Sequence, residues 1–309
     1  MSVLVVVLLA SLSACVTSAK YNSDMQKSHP AIGQKVPVNG YDVHVITAGE
    51  VSAAPVLMIH GASANAREFT YTLAPRLESD HFVMMADRPG HGYSGRPDKG
   101  AELGVQAAQM AGVLEQLAGG MPAVVVGHSF GGAVALRLAL DRPDLVKGLV
   151  LSAPVSHDWG SGGEAWYNSY ASTPVIGPVF SQLTPLVGPG QAKGGVLSVF
   201  DPVSAPEGYY EKSAIGLLFR PSNFRANAKD VSALRDELAA QEDRYVELDL
   251  PIVVFSGAED TVIKPQLHVG KLKTQTDVEL VALAHEGHMP HHGEGAAMAD
   301  AIRRVASSE

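Results

Sequence analysis

Val125-Val126-Gly127-His128-Ser129-Phe130-Gly131-Gly132 is the stretch on which the reading of this chain turns. Residues 123–126 ahead of it are continuously apolar and short enough for a buried strand. Residues 133–140 after it place apolar side chains at helical spacing. A serine held between glycines where a strand gives way to a helix implies a sharp turn. The glycines leave space for backbone that a side chain would obstruct, and the serine is presented in a strained conformation with its hydroxyl exposed. Gly127-His128-Ser129-Phe130-Gly131 fits the pattern G-x-S-x-G, with the flanks that pattern requires.

Outward from this turn the chain alternates buried strands with helices. Residues 35–38 and 41–46 are β-rich runs about Asn39-Gly40, a hairpin signal. Residues 55–60 form an apolar strand closed by His60-Gly61-Ala62-Ser63, and the periodicity predicts a helix over 64–77. Residues 82–86 deliver a Gly-rich loop, Asp87 to Ser94, and 103–117 read as a helix. Further strands are expected at 149–153, 252–255 and 278–283, with a closing helix over 296–305. This order argues for an α/β fold, a mostly parallel twisted sheet with helices on both faces.

Between the strands ending at Pro154 and beginning at Ile252 the texture changes to Pro, Gly and Ser with most of the aromatics, among them Trp159, Trp166, Tyr170, Phe180 and Tyr209. A structureless loop of that length is implausible, so residues 155–246 are expected to be an inserted helical cap, with helix at 217–219 and 231–238. The core is then 32–154 and 247–309. Aromatics over a nucleophile would suit an apolar substrate.

The bulk numbers are those of a globular protein of 309 residues, 46% hydrophobic and 18% charged. A net charge of −9, with no Lys/Arg run, argues against a nucleic-acid partner. A single cysteine, Cys15, excludes an intrachain disulfide framework and a Cys-rich metal site.

The turn at Ser129 resembles the nucleophile elbow of the α/β-hydrolase superfamily. His60-Gly61-Ala62 resembles that family's HG-x loop, and Asp87 to Ser94 its D-R-x-G-x-G-x-S loop. The resemblance covers roughly residues 32–306 and implies a Ser-His-Asp triad. Its acid would be Asp260, past the strand after the cap, with Glu259 as the neighbouring candidate; its base would be His288, the histidine of Gly287-His288. The oxyanion donors would be the backbone amides of Ala62 and Phe130. His60, Arg88 and His91 read as scaffold, and His285, His291 and His292 as a surface histidine patch rather than a metal site. Neither a metal nor another cofactor is expected. The implied activity is hydrolysis of a small or medium apolar carboxylic ester. Lactonases, C–C bond hydrolases, aminopeptidases and cofactor-free haloperoxidases share the triad, and a non-catalytic, membrane-tethered binding protein would share the scaffold.

Residues 3–12 are apolar but too short to span a bilayer, which fits a secretory signal. They end in Leu12-Ser13-Ala14-Cys15, which resembles a bacterial lipobox. That resemblance implies a signal peptide over 1–14, a lipid on Cys15 and a polar tether through residue 31. The protein would then sit in the membrane of a bacterial envelope, and Val16 in place of aspartate after the cysteine points to the outer membrane.

Overall fold

The computed structural model describes residues 3–162 and 165–308; of the expected signal segment, residues 1 and 2 lie outside it. In chain order the elements are α1 (Val3–Ser28), β1 (Gln34–Val38), β2 (Tyr41–Ala48), β3 (Ala54–Ile59), β4 (His81–Ala86), α2 (Leu103–Leu117), β5 (Ala123–His128), α3 (Phe130–Asp141) and β6 (Val146–Ser152). The cap follows, with α4 (Trp166–Ser172), α5 (Ile176–Ser181), α6 (Thr184–Phe200), α7 (Tyr209–Lys212) and α8 (Pro221–Ala239). The chain closes with β7 (Ile252–Gly257), α9 (Pro265–Gln275), β8 (Glu279–Leu283), α10 (Pro290–Gly293) and α11 (Gly295–Ser307).

Eight strands among the described residues form one sheet in the order β1-β2-β4-β3-β5-β6-β7-β8. β1–β2 and β2–β4 pair antiparallel and every other neighbour pairs parallel. The central strands are apolar through most of their length because both faces are covered. Leu57, Ile59, Val125, Leu149 and Val254 face α2 and α3. Val56, Met58, Val126, Val150 and Phe255 face Phe69, Leu73, Leu77 and α11. The Asn39-Gly40 hairpin is a two-residue turn with φ of 51° and 83°, the positive pair that a tight hairpin requires.

Two expectations are corrected. Residues 64–77 are two 3-10 turns, Ala66–Phe69 and Ala74–Arg76, rather than a helix. Asn65 caps the first by accepting from the Arg67 amide, Asp87 takes the Ala66 amide, and Pro75 has no amide to donate. The expected tether is also ordered helix: α1 runs to Ser28 and lies against the cap. The Ser18 hydroxyl donates to the Gln182 carbonyl at 2.9 Å, and the Tyr21 hydroxyl donates to Gly216 at 2.9 Å. Met25 fills the space where a Cβ on Gly216 would sit. Ser18, Tyr21 and Met25 recur at three and four residues, a helical face whose polar atoms hide its period.

The cap is held down by one side of α8. Asn223 donates to Gly92, Asn227 pairs with Ser63, Asp230 pairs with Arg88 and Arg96, and Glu237 accepts from the Leu103 amide. These positions stand four, three and seven residues apart, so a single helical stripe carries the attachment.

Candidate active site

β5 ends at the centre of the sheet, and the next residue, Ser129, turns the chain into α3 with φ 49° and ψ −115°. A non-glycine residue there carries strain on the order of 1–3 kcal/mol, which the surroundings must hold. Three hydrogen bonds do so: the Ser129 amide donates to Ser152, and the Ser129 carbonyl accepts from Gly132 and Val155. The flanking glycines are sterically obligatory. A Cβ on Gly131 would lie 2.1 Å from the Ile59 carbonyl oxygen, and one on Gly127 would lie 2.6 Å from that of Gly131.

The strand ends carry the other parts to the same place. β7 leads into the loop holding Asp260, and β8 into the loop holding His288. Ser129 Oγ lies 2.9 Å from His288 Nε2, and His288 Nδ1 lies 2.8 Å from Asp260 Oδ2. Both side chains are enclosed, His288 at 5% exposure and Asp260 at 1%. The Asp260 carboxylate also accepts from the amides of Val262 and Ile263, at 2.8 and 3.0 Å. Burial raises its pKa, but the His288 bond and these two amides outweigh that and hold it below the ordinary 3.8. Burial pulls His288 down from 6.5 further than Asp260 restores it. The imidazole is therefore neutral near pH 7 and able to accept a proton. Glu259, the other acid candidate, points instead toward His285, 3.3 Å away on the surface.

Phe130 opens α3, so its amide is one of the helix-start donors without an intrahelical acceptor. The Ala62 amide likewise has no protein acceptor among the described residues. Gly61 brings that loop against the serine: a Cβ on Gly61 would lie 3.2 Å from Ser129 Cβ. The loop is fixed from above, where the Ser63 amide donates to Asn227 Oδ1 at 2.7 Å.

Beneath the elbow lies a buried cluster that the sequence did not reveal. Glu68 Oε1 is 2.5 Å from His128 Nδ1 and 2.7 Å from His291 Nε2, and the other nitrogen of His128 reaches the His288 carbonyl at 3.1 Å. Burial opposes the Glu68 charge, yet the two imidazoles drive its pKa well below 4.5. Burial likewise opposes a charge on His128, but Glu68 prevails and raises it. His291, pushed down to about 4 by burial and by His128, is the neutral partner. His128 Nε2 donates to the His288 carbonyl, tying the serine turn to the backbone of the histidine loop. The two Glu68 contacts are close ion-pair separations without hydrogen-bond alignment; two ligands each about 2.0 Å from a tetrahedral metal stand roughly 3.3 Å apart. The position between Gly127 and Ser129 is unrestricted in the G-x-S-x-G pattern, so nothing in the motif singles out His128.

The expected surface histidine patch is corrected by the same geometry. His291 is fully buried, and His292 packs among Tyr71, Phe200 and Tyr209; His285 alone of the three is exposed. His60 is scaffold, as expected: its Nε2 accepts from the Arg88 amide, and burial lowers it to about 4. Arg88 is wholly buried between Asp230, Gln106 and the Phe130 ring, 4.1 Å from its centroid. The cap aromatics divide. Phe200 and Tyr209 form the cap's own core beside Met289, whereas Trp166, Tyr167 and Tyr170 are exposed.

Residues 56–301 match the sequence profile described as "Alpha/beta hydrolase family". A 2-hydroxymuconate semialdehyde hydrolase of Pseudomonas putida is 36% identical over 128 residues, 41% of this chain and 44% of that protein. The chain spans less than half the length of the first curated relatives it matches, 37% and 44%. Among solved structures, an esterase from Exiguobacterium antarcticum has a TM-score of 0.72 at 21% identity, covering 90% of this chain and 100% of its own. The 2-hydroxy-6-oxo-6-phenylhexa-2,4-dienoate hydrolase of Rhodococcus sp. has a TM-score of 0.73 at 22% identity, covering 90% and 99%. These two likenesses are likenesses of fold.

Proposed function

Because this chain belongs to the alpha/beta hydrolase family, we propose that it is a serine hydrolase acting on small or medium apolar carboxylic esters. The observation that carries the reading is the continuous contact from Ser129 through His288 to Asp260. In the proposed cycle Ser129 Oγ attacks the ester carbonyl as His288 takes its proton. The amides of Ala62 and Phe130 receive the charge on the tetrahedral oxygen; one such donor contributes about 3 kcal/mol to lowering the barrier. The C–O bond then breaks and the alcohol leaves with the proton from His288. A water deprotonated by the same imidazole releases the acid and restores Ser129. Fluorophosphonate labelling tests the reading directly: the adduct is expected on Ser129, and an unlabelled protein would favour the binding-protein alternative.

The protonation states fix the expected pH profile. Activity needs neutral His288, so kcat/KM is lost as pH falls through its pKa, which lies below the ordinary 6.5. An acid limb with its midpoint above pH 7 would contradict the arrangement. Asp260→Asn removes the charge that favours the protonated imidazole while keeping its size, and kcat is expected to fall about 10⁴-fold. A loss below tenfold would assign the acid to another residue.

A second reading, cleavage of a carbon–carbon bond beside a ketone, is favoured by the likeness to 2-hydroxymuconate semialdehyde hydrolase. Turnover of a vinylogous diketone in preference to every ester of a panel would select it.

We further propose that Cys15, exposed on α1, carries a lipid anchor holding the enzyme at a bacterial envelope membrane. Cys15→Ser is expected to abolish incorporation of labelled palmitate; retained label would remove the proposal.

A further inference from the structure

The outer side of α5 and the start of α6 reverses the usual distribution of side chains. The backbone stays helical through Gln182 and Leu183, so the two helices present one nearly continuous surface. Along it Ile176, Val179, Leu183, Leu186 and Val187 recur every three or four residues, and all are exposed, Val179 at 65% and Val187 at 63%. Val175, just ahead of them, is 82% exposed. The residues turned inward are Gly177, Ser181, Thr184 and Pro185, small or hydroxylated, with the Thr184 hydroxyl donating to Ser181 and Phe219. An amphipathic helix on a globular protein places these classes the other way round.

Two neighbouring features identify what this face meets. Trp166, Tyr170 and Phe180 cluster beside it with ring centroids about 6 Å apart, and Trp166 is 68% exposed. Tryptophan and tyrosine favour the boundary between headgroups and acyl chains, where an apolar ring and a polar handle are both satisfied. Lys193 is the sole charged residue from 165 to 200, in a chain that is 18% charged. The second feature is α1, which meets the cap at this very turn through the Ser18–Gln182 bond. Cys15 lies one helical turn before Ser18, roughly 4.5 Å along the axis, and the apolar run 3–12 precedes it. A bilayer that receives this end of α1 therefore meets the α5–α6 face as well.

We propose that this face of the cap is a membrane-docking surface that rests in the headgroup–acyl boundary of a phospholipid bilayer. No helix among the described residues is long and apolar enough to cross a membrane, and the face lies on the bilayer rather than through it. With one lysine and no carboxylate on this stretch, docking depends on apolar area and not on anionic lipid. The inference is independent of the hydrolytic reading.

The test uses the full chain carrying Cys15→Ser and phosphatidylcholine vesicles. Trp159→Phe leaves Trp166 as the single tryptophan. Its emission is expected to shift to the blue and to be quenched by acyl-brominated lipid, equally at low and high salt. In the complementary Trp166→Phe protein, Trp159 should be unaffected. Val175→Asp, Val179→Asp and Val187→Asp together, at positions already exposed, should weaken vesicle binding by about tenfold or more. Unquenched Trp166, or wild-type binding by the triple variant, overturns the proposal. So does a vesicle-independent dimer that the three aspartates dissolve, since the face would then belong to a second copy.

Discussion

Ser129→Ala lowers kcat on a short acyl ester by roughly five to six orders of magnitude while the protein stays folded. The size of the effect follows from the geometry. Ser129 Oγ is the atom 2.9 Å from the His288 imidazole, and removing it deletes the nucleophile rather than an aid to it. Alanine keeps the Cβ, so the three hydrogen bonds that hold the strained turn remain. His288→Ala is expected to cost nearly as much, and the double variant little more than either, because the two side chains act in one step. Residual turnover reports the oxyanion donors and binding alone. The measurements are steady-state kinetics on an ester panel and circular dichroism of each variant. Loss of less than about a hundredfold would place the nucleophile elsewhere.

Asp230→Ala is expected to cost about 3–5 kcal/mol of stability, lowering the thermal midpoint by roughly 6–10 °C. Arg88 and Asp230 are both wholly buried and meet at 2.7 Å, with Arg96 on the second carboxylate oxygen at 2.7 Å. Taking away the carboxylate strands the Arg88 guanidinium where water cannot reach it. Asp230→Asn keeps an acceptor there and should lose less. Exposed Asp243→Ala is the control, expected within about 0.5 kcal/mol of wild type. If Asp230→Ala melts with that control, the ion pair contributes nothing. The effect should also reach catalysis. Asn227, one turn before Asp230, holds the Ser63 amide beside the oxyanion donor Ala62, so a loosened α8 is expected to lower kcat in folded protein.

The parts of the fold that were legible were those with a local cause. Asn39-Gly40 needs two positive φ angles, which this pair tolerates. The central strands are mostly apolar because the sheet is covered on both faces, and the glycines at 127 and 131 stand where any Cβ would strike backbone. The misreadings came where a distant partner outweighed local pattern. The 64–77 segment reads as a helix until Asp87 claims the Ala66 amide and Pro75 interrupts it. The polar stretch after Cys15 reads as a tether until Tyr21 and Met25 find the cap at Gly216.

The candidate site divides in the same way. Motif and chain order single out Ser129, Asp260 and His288, because each sits in a loop that follows its strand by a fixed local rule. Glu68, His128 and His291 could be gathered only by the tertiary structure, since a carboxylate and two imidazoles of distant sequence position gain significance only when burial removes water and forces them to pair. The same holds for Arg88 and Asp230, 142 residues apart. Sequence determined the sheet, the turn and the order of the chemical groups through short-range sterics and hydrophobic period. Which charges would lie together out of water was decided by packing, because the cost of burying a charge depends on neighbours that only the folded chain supplies.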